Sequence, residues 1–159
     1  MLPGLLFGCK TSKPKPQTAA LRVHIETTPD RTGASQEISV LRSTPVLLTI
    51  KREPILSEAN MVGAKIIEAQ GGFAIEIKFD ESGTWILEQY SAANPGRHFA
   101  IFAQWGDKLS DGRWLAAPFI SRRISNGTLS FTPDCSREEA DKLVAGLNEA
   151  VKEISKHRF

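Results

Sequence analysis

The side chains equipped for chemistry are few and widely spaced. His24, His98 and His157 are the available imidazole bases, and none stands in a nucleophile, carboxylate or metal-ligand motif. Cys9 and Cys135 have neither the spacing nor the neighbouring histidines of a zinc site. A disulfide between them would tie a linker to a helix entrance and is not expected. Cys135 alone reads as a small buried hydrophobe, not a reactive thiol. Glu76 and Asp80 fall on one face of a strand, where two carboxylates alone would suit glycosidase-type acid–base work. Lys78 lies between them on that face, so the three read as a mutually neutralising surface row. Gly71-Gly72 is a lone pair and not a phosphate loop, and no Gly-x-Ser-x-Gly elbow occurs. Arg122 and Arg123 alternate faces and make no nucleic-acid stripe. The expectation is a non-enzyme with no cofactor, no metal and no catalytic residues.

What remains is the chemistry of contact. Trp105 and Trp114 flank a glycine- and aspartate-rich loop, residues 105–113, and tryptophan is enriched in binding hot spots. A loop of this kind suits gripping apolar segments. The competing reading is a long hairpin with Trp114 buried. An enzyme reading places a pocket at residues 104–114, with His98 or Asp111 as its working group. The Trp85 and Tyr90 pair is read as core packing of a helix in preference to a ligand platform, and His24 as a surface strand residue.

The elements that position these side chains are legible from period and punctuation. In Gly71–Gly83, Phe73, Ile75, Ile77 and Phe79 alternate with Ala74, Glu76, Lys78 and Asp80, which predicts a central strand with one apolar face. Asp80 follows as the cap of a helix over 81–93, stopped by Asn94-Pro95-Gly96. Strands are predicted at 21–26, 36–41, 46–51, 62–69 and 98–104. A further strand over 114–124, broken at Pro118, is expected to return through an Asn126-Gly127 hairpin into 128–132. Ser136 and Glu139 form a capping box, and Ala140, Leu143, Val144, Leu147, Val151 and Ile154 make one helical stripe over 136–156. The fold class that follows is α+β, a mainly antiparallel sheet with two helices packed on one face.

Composition sets the bounds. The chain has 159 residues, 41% apolar and 24% charged, which is ordinary for one soluble domain with a sizeable core. A net charge of +2 provides no field that would draw nucleic acid or an anionic membrane. No stretch approaches the roughly 20 apolar residues of a membrane span. Residues 1–9 are apolar and end at Cys9; residues 10–20, KTSKPKPQTAA, are polar, basic and proline-bearing and read as a linker. Leu6 and Gly8 before Cys9 resemble the end of a bacterial lipoprotein signal, in which the cysteine is cut and acylated. No Lys or Arg precedes the apolar run, so the alternatives are a start codon placed late and a plain disordered N-terminus. The organisation expected is 1–20 signal remnant and linker, then one domain over 21–159, divided into N-terminal strands (21–53) and a second region (54–159).

From Leu56 to Ile154 the order of elements resembles the periplasmic head subdomain of SecD, the protein-export membrane protein. Three stretches carry this: GGFAIEIKFDESGTWILEQYSAAN; RHFAIFAQ with DGRWLAAPFISRRISNGTLSFT; and SREEADKLVAGLN. The family's transmembrane helices have no counterpart here, so the resemblance implies no conversion of a proton gradient into work. It implies an extracytoplasmic α+β domain of the cell envelope that handles polypeptide or contacts protein-translocation components, with a lipid anchor as its link to the membrane. Two routes of contact are expected, the Trp105–Trp114 loop and strand addition at a sheet edge such as 21–26. A structural envelope lipoprotein with no export role is the alternative.

Overall fold

The computed structural model describes residue 4 and residues 16–158. Cys9, the candidate acylation position, and most of the expected linker lie outside the described residues. In chain order the described residues form β1 (Ala19–Ile25), β2 (Ser35–Val40), β3 (Val46–Lys51), β4 (Leu56–Ser57), β5 (Met61–Ala69), β6 (Gly72–Phe79), α1 (Glu81–Ala93), β7 (Phe99–Trp105), β8 (Asp111–Ala116), β9 (Thr128–Phe131) and α2 (Arg137–Lys156). The class is α+β, as the sequence predicts. The strands form three sheets, β4-β1-β7-β8, β2-β3 and β5-β6-β9, and every pairing is antiparallel.

Both helices begin where their caps place them. The Asp80 carboxylate accepts from the Gly83 N–H at 2.7 Å, and Ser136 and Glu139 close a reciprocal capping box. On α2 the buried residues are Ala140, Leu143, Gly146, Leu147 and Ala150, with Val144, Val151 and Ile154 at the margin. Fully burying Leu143 and Leu147 contributes about 1.5–3 kcal/mol each. Gly146 is required by a close approach: a Cβ there would meet the Ala19 Cβ of β1 at 2.7 Å. α2 packs on β5 and β1 and also reaches β7 and β6, so it joins the two larger sheets across one continuous core.

The four-stranded sheet is covered on both faces. Leu21, Val23 and Ile25 of β1 enter the main core. On the other face the β2–β3 hairpin brings Ile38, Val40, Leu48 and Ile50 onto Ala100, Trp114 and Ala117. This corrects the reading of His24. It is only 6% exposed, pairs across from Ala100, and lies edge-on to Trp114 with ring centroids 5.1 Å apart. Its Nδ1–H donates to the Lys51 carbonyl at 2.8 Å.

Three further expectations change. β1 lies between β4 and β7, so the 21–26 edge is not free. Trp85 is 63% exposed, because α1 turns Gly83, Leu87 and Ser91 inward instead. A Cβ at Gly83 would meet Phe79 at 2.9 Å, so the small residue lets α1 lie close on the end of β6. The strand expected over 114–124 ends at Ala116, and β9 pairs with β6 instead of returning along it. Gly127, at φ +71, still makes the turn, but the chain it delivers belongs to another sheet.

Candidate functional site

Strand edges carry the backbone donors and acceptors that a sheet leaves unused, and the sheet β5-β6-β9 finishes its two edges differently. The β5 edge is closed by α2 at Ala64. The Ala64 N–H donates to Asn148 Oδ1 at 2.9 Å, and Asn148 Nδ2 donates to the Ala64 carbonyl at 3.0 Å, so one side-chain amide stands in for a missing strand. Both groups of Ala64 thus point away from β6.

The register carries this across the sheet. Ile77 is opposite Ala64 and turns its own groups toward β9, where its partner Leu129 turns back toward β6. The Phe79 N–H donating to the Gly127 carbonyl at 2.9 Å continues the same ladder. Thr128 and Ser130 consequently face outward. The Thr128 N–H is taken by Asn126 Oδ1 at 3.1 Å. The Thr128 carbonyl and both backbone groups of Ser130 have no hydrogen-bond partner among the described residues.

These groups open onto a groove. Between β9 and the segment 118–124 lies a cavity of about 200 Å³, walled by Phe99, Phe119, Ile120, Arg122 and Ile124. It adjoins a wider one of about 600 Å³ over Glu76, Arg123 and Ser130. The far wall is held in place. The Ile120 N–H donates to the Arg97 carbonyl at 2.8 Å, the Ile124 N–H donates to Ser91 Oγ at 2.8 Å, and Arg123 pairs with Glu88. Phe119 is 61% exposed, with His98 edge-on to its ring at 5.4 Å. His98 is fixed in turn by Glu26, whose Oε2 lies 2.8 Å from its Nδ1 and accepts the His98 N–H at 2.7 Å. Arg122 is exposed and enters no ion pair among the described residues. The groove therefore offers backbone hydrogen bonds, an exposed aromatic ring and a free positive charge.

Trp105, Trp114, Asp111 and Cys135, singled out from sequence, stand elsewhere. Trp105, at the end of β7, is 3% exposed beneath the Arg113 guanidinium, 5.0 Å from its ring. Trp114, half-buried on β8, packs between His24 and Phe102. The two indoles lie on opposite faces of the sheet and are not brought together. His98 and Asp111 sit at opposite ends of the β7–β8 ladder, about 20 Å apart along the strand, and share no site. Burial, with the Glu139 carboxylate beside it, pushes the Cys135 thiol up to about 11, so it is no nucleophile at neutral pH. Among the described residues no three of His, Cys, Asp and Glu gather as metal ligands, and no helix is long and apolar enough to cross a membrane. Sequence reasoning missed Phe119 and Ser130. The alternation of Thr128 and Ser130 with Leu129 and Phe131 marks a half-buried strand, but nothing local marks its outer side as unpaired.

The family model of the SecDF P1 head subdomain matches residues 32–150. That span takes in the β2–β3 hairpin, which the resemblance read from Leu56 onward left outside. Among solved structures, a membrane component SecDF that enhances protein export superposes with a TM-score of 0.58 at 20% identity, over 84% of this chain and 64% of that one. SecDF in a super-membrane-facing form gives the same TM-score and identity, over 84% of this chain and 19% of that one. The chain thus spans less than two thirds of either, and at this identity the likeness is one of fold. No curated protein matches the chain in sequence.

Proposed function

The chain belongs to the SecDF P1 head subdomain family, and from that premise we propose that it acts outside the cytoplasm as a non-enzymatic accessory of protein export, contacting polypeptide directly. The observation that carries this reading is the outer edge of β9, whose unpaired backbone groups face a groove with an exposed Phe119 and a free Arg122. Such an edge binds main chain irrespective of sequence, which suits a component that must handle many different chains. It discriminates by conformation, because a folded protein has already paired its own strands. The related SecDF that enhances export supports the direction of this reading. Cys9 is the candidate point of membrane attachment, with residues 10–20 as its tether. Contact is assigned to the β9 groove; Trp105 is buried and Trp114 half-buried in the other sheet, β4-β1-β7-β8.

The test is binding of one secretory protein in two conformations. Fluorescence anisotropy should show saturable binding of the reduced, carboxymethylated and permanently unfolded form, and none of the folded form. Equal binding of both forms, or of neither, removes the proposal.

A further inference from the structure

On the reading just given, we propose that the groove takes its ligand as an added strand: an extended, acid-bearing polypeptide segment pairs antiparallel or parallel with β9 through Ser130, with a carboxylate set against Arg122. The mode of binding follows from the unequal edges. Asn148 takes both outward groups of Ala64 with the two hydrogen bonds of its amide, so no strand can pair along the whole length of the β5 edge without displacing α2. The β9 edge has a donor and an acceptor at Ser130 and an acceptor at Thr128, all on one side. Burying these groups without partners would cost about 1–3 kcal/mol each, so an apolar ligand that merely fills the groove is disfavoured. A strand satisfies them at the spacing they already have.

The preference for acid follows from the charges around the groove. Arg123 is engaged by Glu88 and Glu76 by Lys65, at 3.4 Å in the second pair. Arg122 is left uncompensated beside Phe119 and Ile124. A segment with one carboxylate in reach of Arg122 and an apolar side chain against Phe119 complements both. The occupant is thus an extended heterologous segment and not a second copy of this chain, whose own β9 groove repeats the same positive charge.

Ser130→Pro isolates the claim. Proline is tolerated on edge strands when its nitrogen faces outward, and the Ser130 nitrogen takes no part in the β6 ladder. The probe is a labelled ten-residue peptide of alternating valine and serine around a central aspartate, together with its asparagine counterpart. Ser130→Pro should weaken peptide binding about ten-fold while protection of the β6 amides from hydrogen exchange stays intact. Arg122→Gln should weaken the aspartate peptide about three-fold and leave the asparagine peptide unchanged. Because a variant can fail to fold, a second measurement uses the intact chain. N-methylation of the peptide at one parity of positions should abolish binding, and at the other parity leave it unchanged. Loss at every position, or at none, overturns strand addition. So does a wild-type dimer in sedimentation that Ser130→Pro dissolves, since the occupant is then a second copy. Capture of unfolded protein without any capture of the peptide overturns this inference alone; failure to capture unfolded protein overturns the function proposed above.

Discussion

His24 is held where only its neutral form is comfortable. The Nδ1–H donates to the Lys51 carbonyl at 2.8 Å, which leaves Nε2 as the atom that must take any further proton. The charged groups around it are Arg22 and Glu26 on its own strand and Lys51 on β3, while Ala100 and Trp114 face it from β7 and β8. Glu26 is engaged by His98, so no carboxylate is placed to welcome an imidazolium. Burial is the main force lowering its pKa below the ordinary 6.5; the Lys51 bond opposes the shift and Arg22 adds to it. The unfolded chain binds this proton more readily than the folded one. The stabilising contribution is therefore complete above pH 6.5 and lost as pH falls from there toward the lower folded-state value. Chemical denaturation between pH 5 and 8, roughly the range in which histidine titrates, should show the wild type losing stability on the acid side. His24→Asn, which keeps a donor near the Nδ1 position, should flatten that part of the curve. Identical curves for the two proteins would show that His24 does not carry the effect.

At the scale of elements, Asn148 makes the next prediction, because one side chain does the work of a strand. Asn148→Ala leaves the Ala64 N–H and carbonyl, both only partly buried, without their protein partners. The expected loss is about 1–3 kcal/mol in urea unfolding, with faster hydrogen exchange at the Ala64 amide. An unchanged Ala64 exchange rate would mean that α2 does not seal this edge. The same comparison shows which parts of the fold were legible in sequence. Both helix starts were, since Asp80 and the Ser136–Glu139 box act on groups within three residues of themselves. The partner of β9 was not, because Asn126-Gly127 specifies a reversal and not which strand waits on the other side. His24 and Trp85 were misplaced for a related reason. Alternation reveals one apolar face, and it cannot announce that the β2–β3 hairpin will cover the other. The inward face of α1 is written largely in Gly83 and Ser91, which carry no hydrophobic signal. The open edge of β9 is a property of absent neighbours, so no local pattern records it.

At the scale of the whole molecule, the four-stranded sheet separates two apolar clusters of very different size. The larger binds α1, α2 and the β5-β6-β9 sheet into one body, whereas the smaller holds the β2–β3 hairpin by Ile38, Val40, Leu48 and Ile50 against Ala100. Few buried contacts mean a low free energy of local opening, so the hairpin is the part expected to open without the rest. A clasp at its turn opposes that opening. Arg42 donates from its backbone N–H to Asp134 Oδ2 at 2.9 Å and from Nε to the same atom at 3.1 Å, tying the β2–β3 turn to the chain just ahead of α2. The Arg42 hydrogen bond is the main cause that holds the Asp134 carboxyl below its ordinary 3.8. The clasp is therefore complete above that pH and lost as pH falls through the lower folded-state value, well outside the window in which His24 acts. Asp134→Asn at neutral pH should reproduce the loss. Amides of β2 and β3 should exchange faster, those of β6 and β7 should keep their protection, and polypeptide binding at the β9 edge should be unchanged, because that edge belongs to the other body. Uniformly faster exchange would show that the hairpin opens only with global unfolding. Weaker polypeptide binding at intact β6 protection would show that the clasp at Asp134 and the β9 edge are coupled.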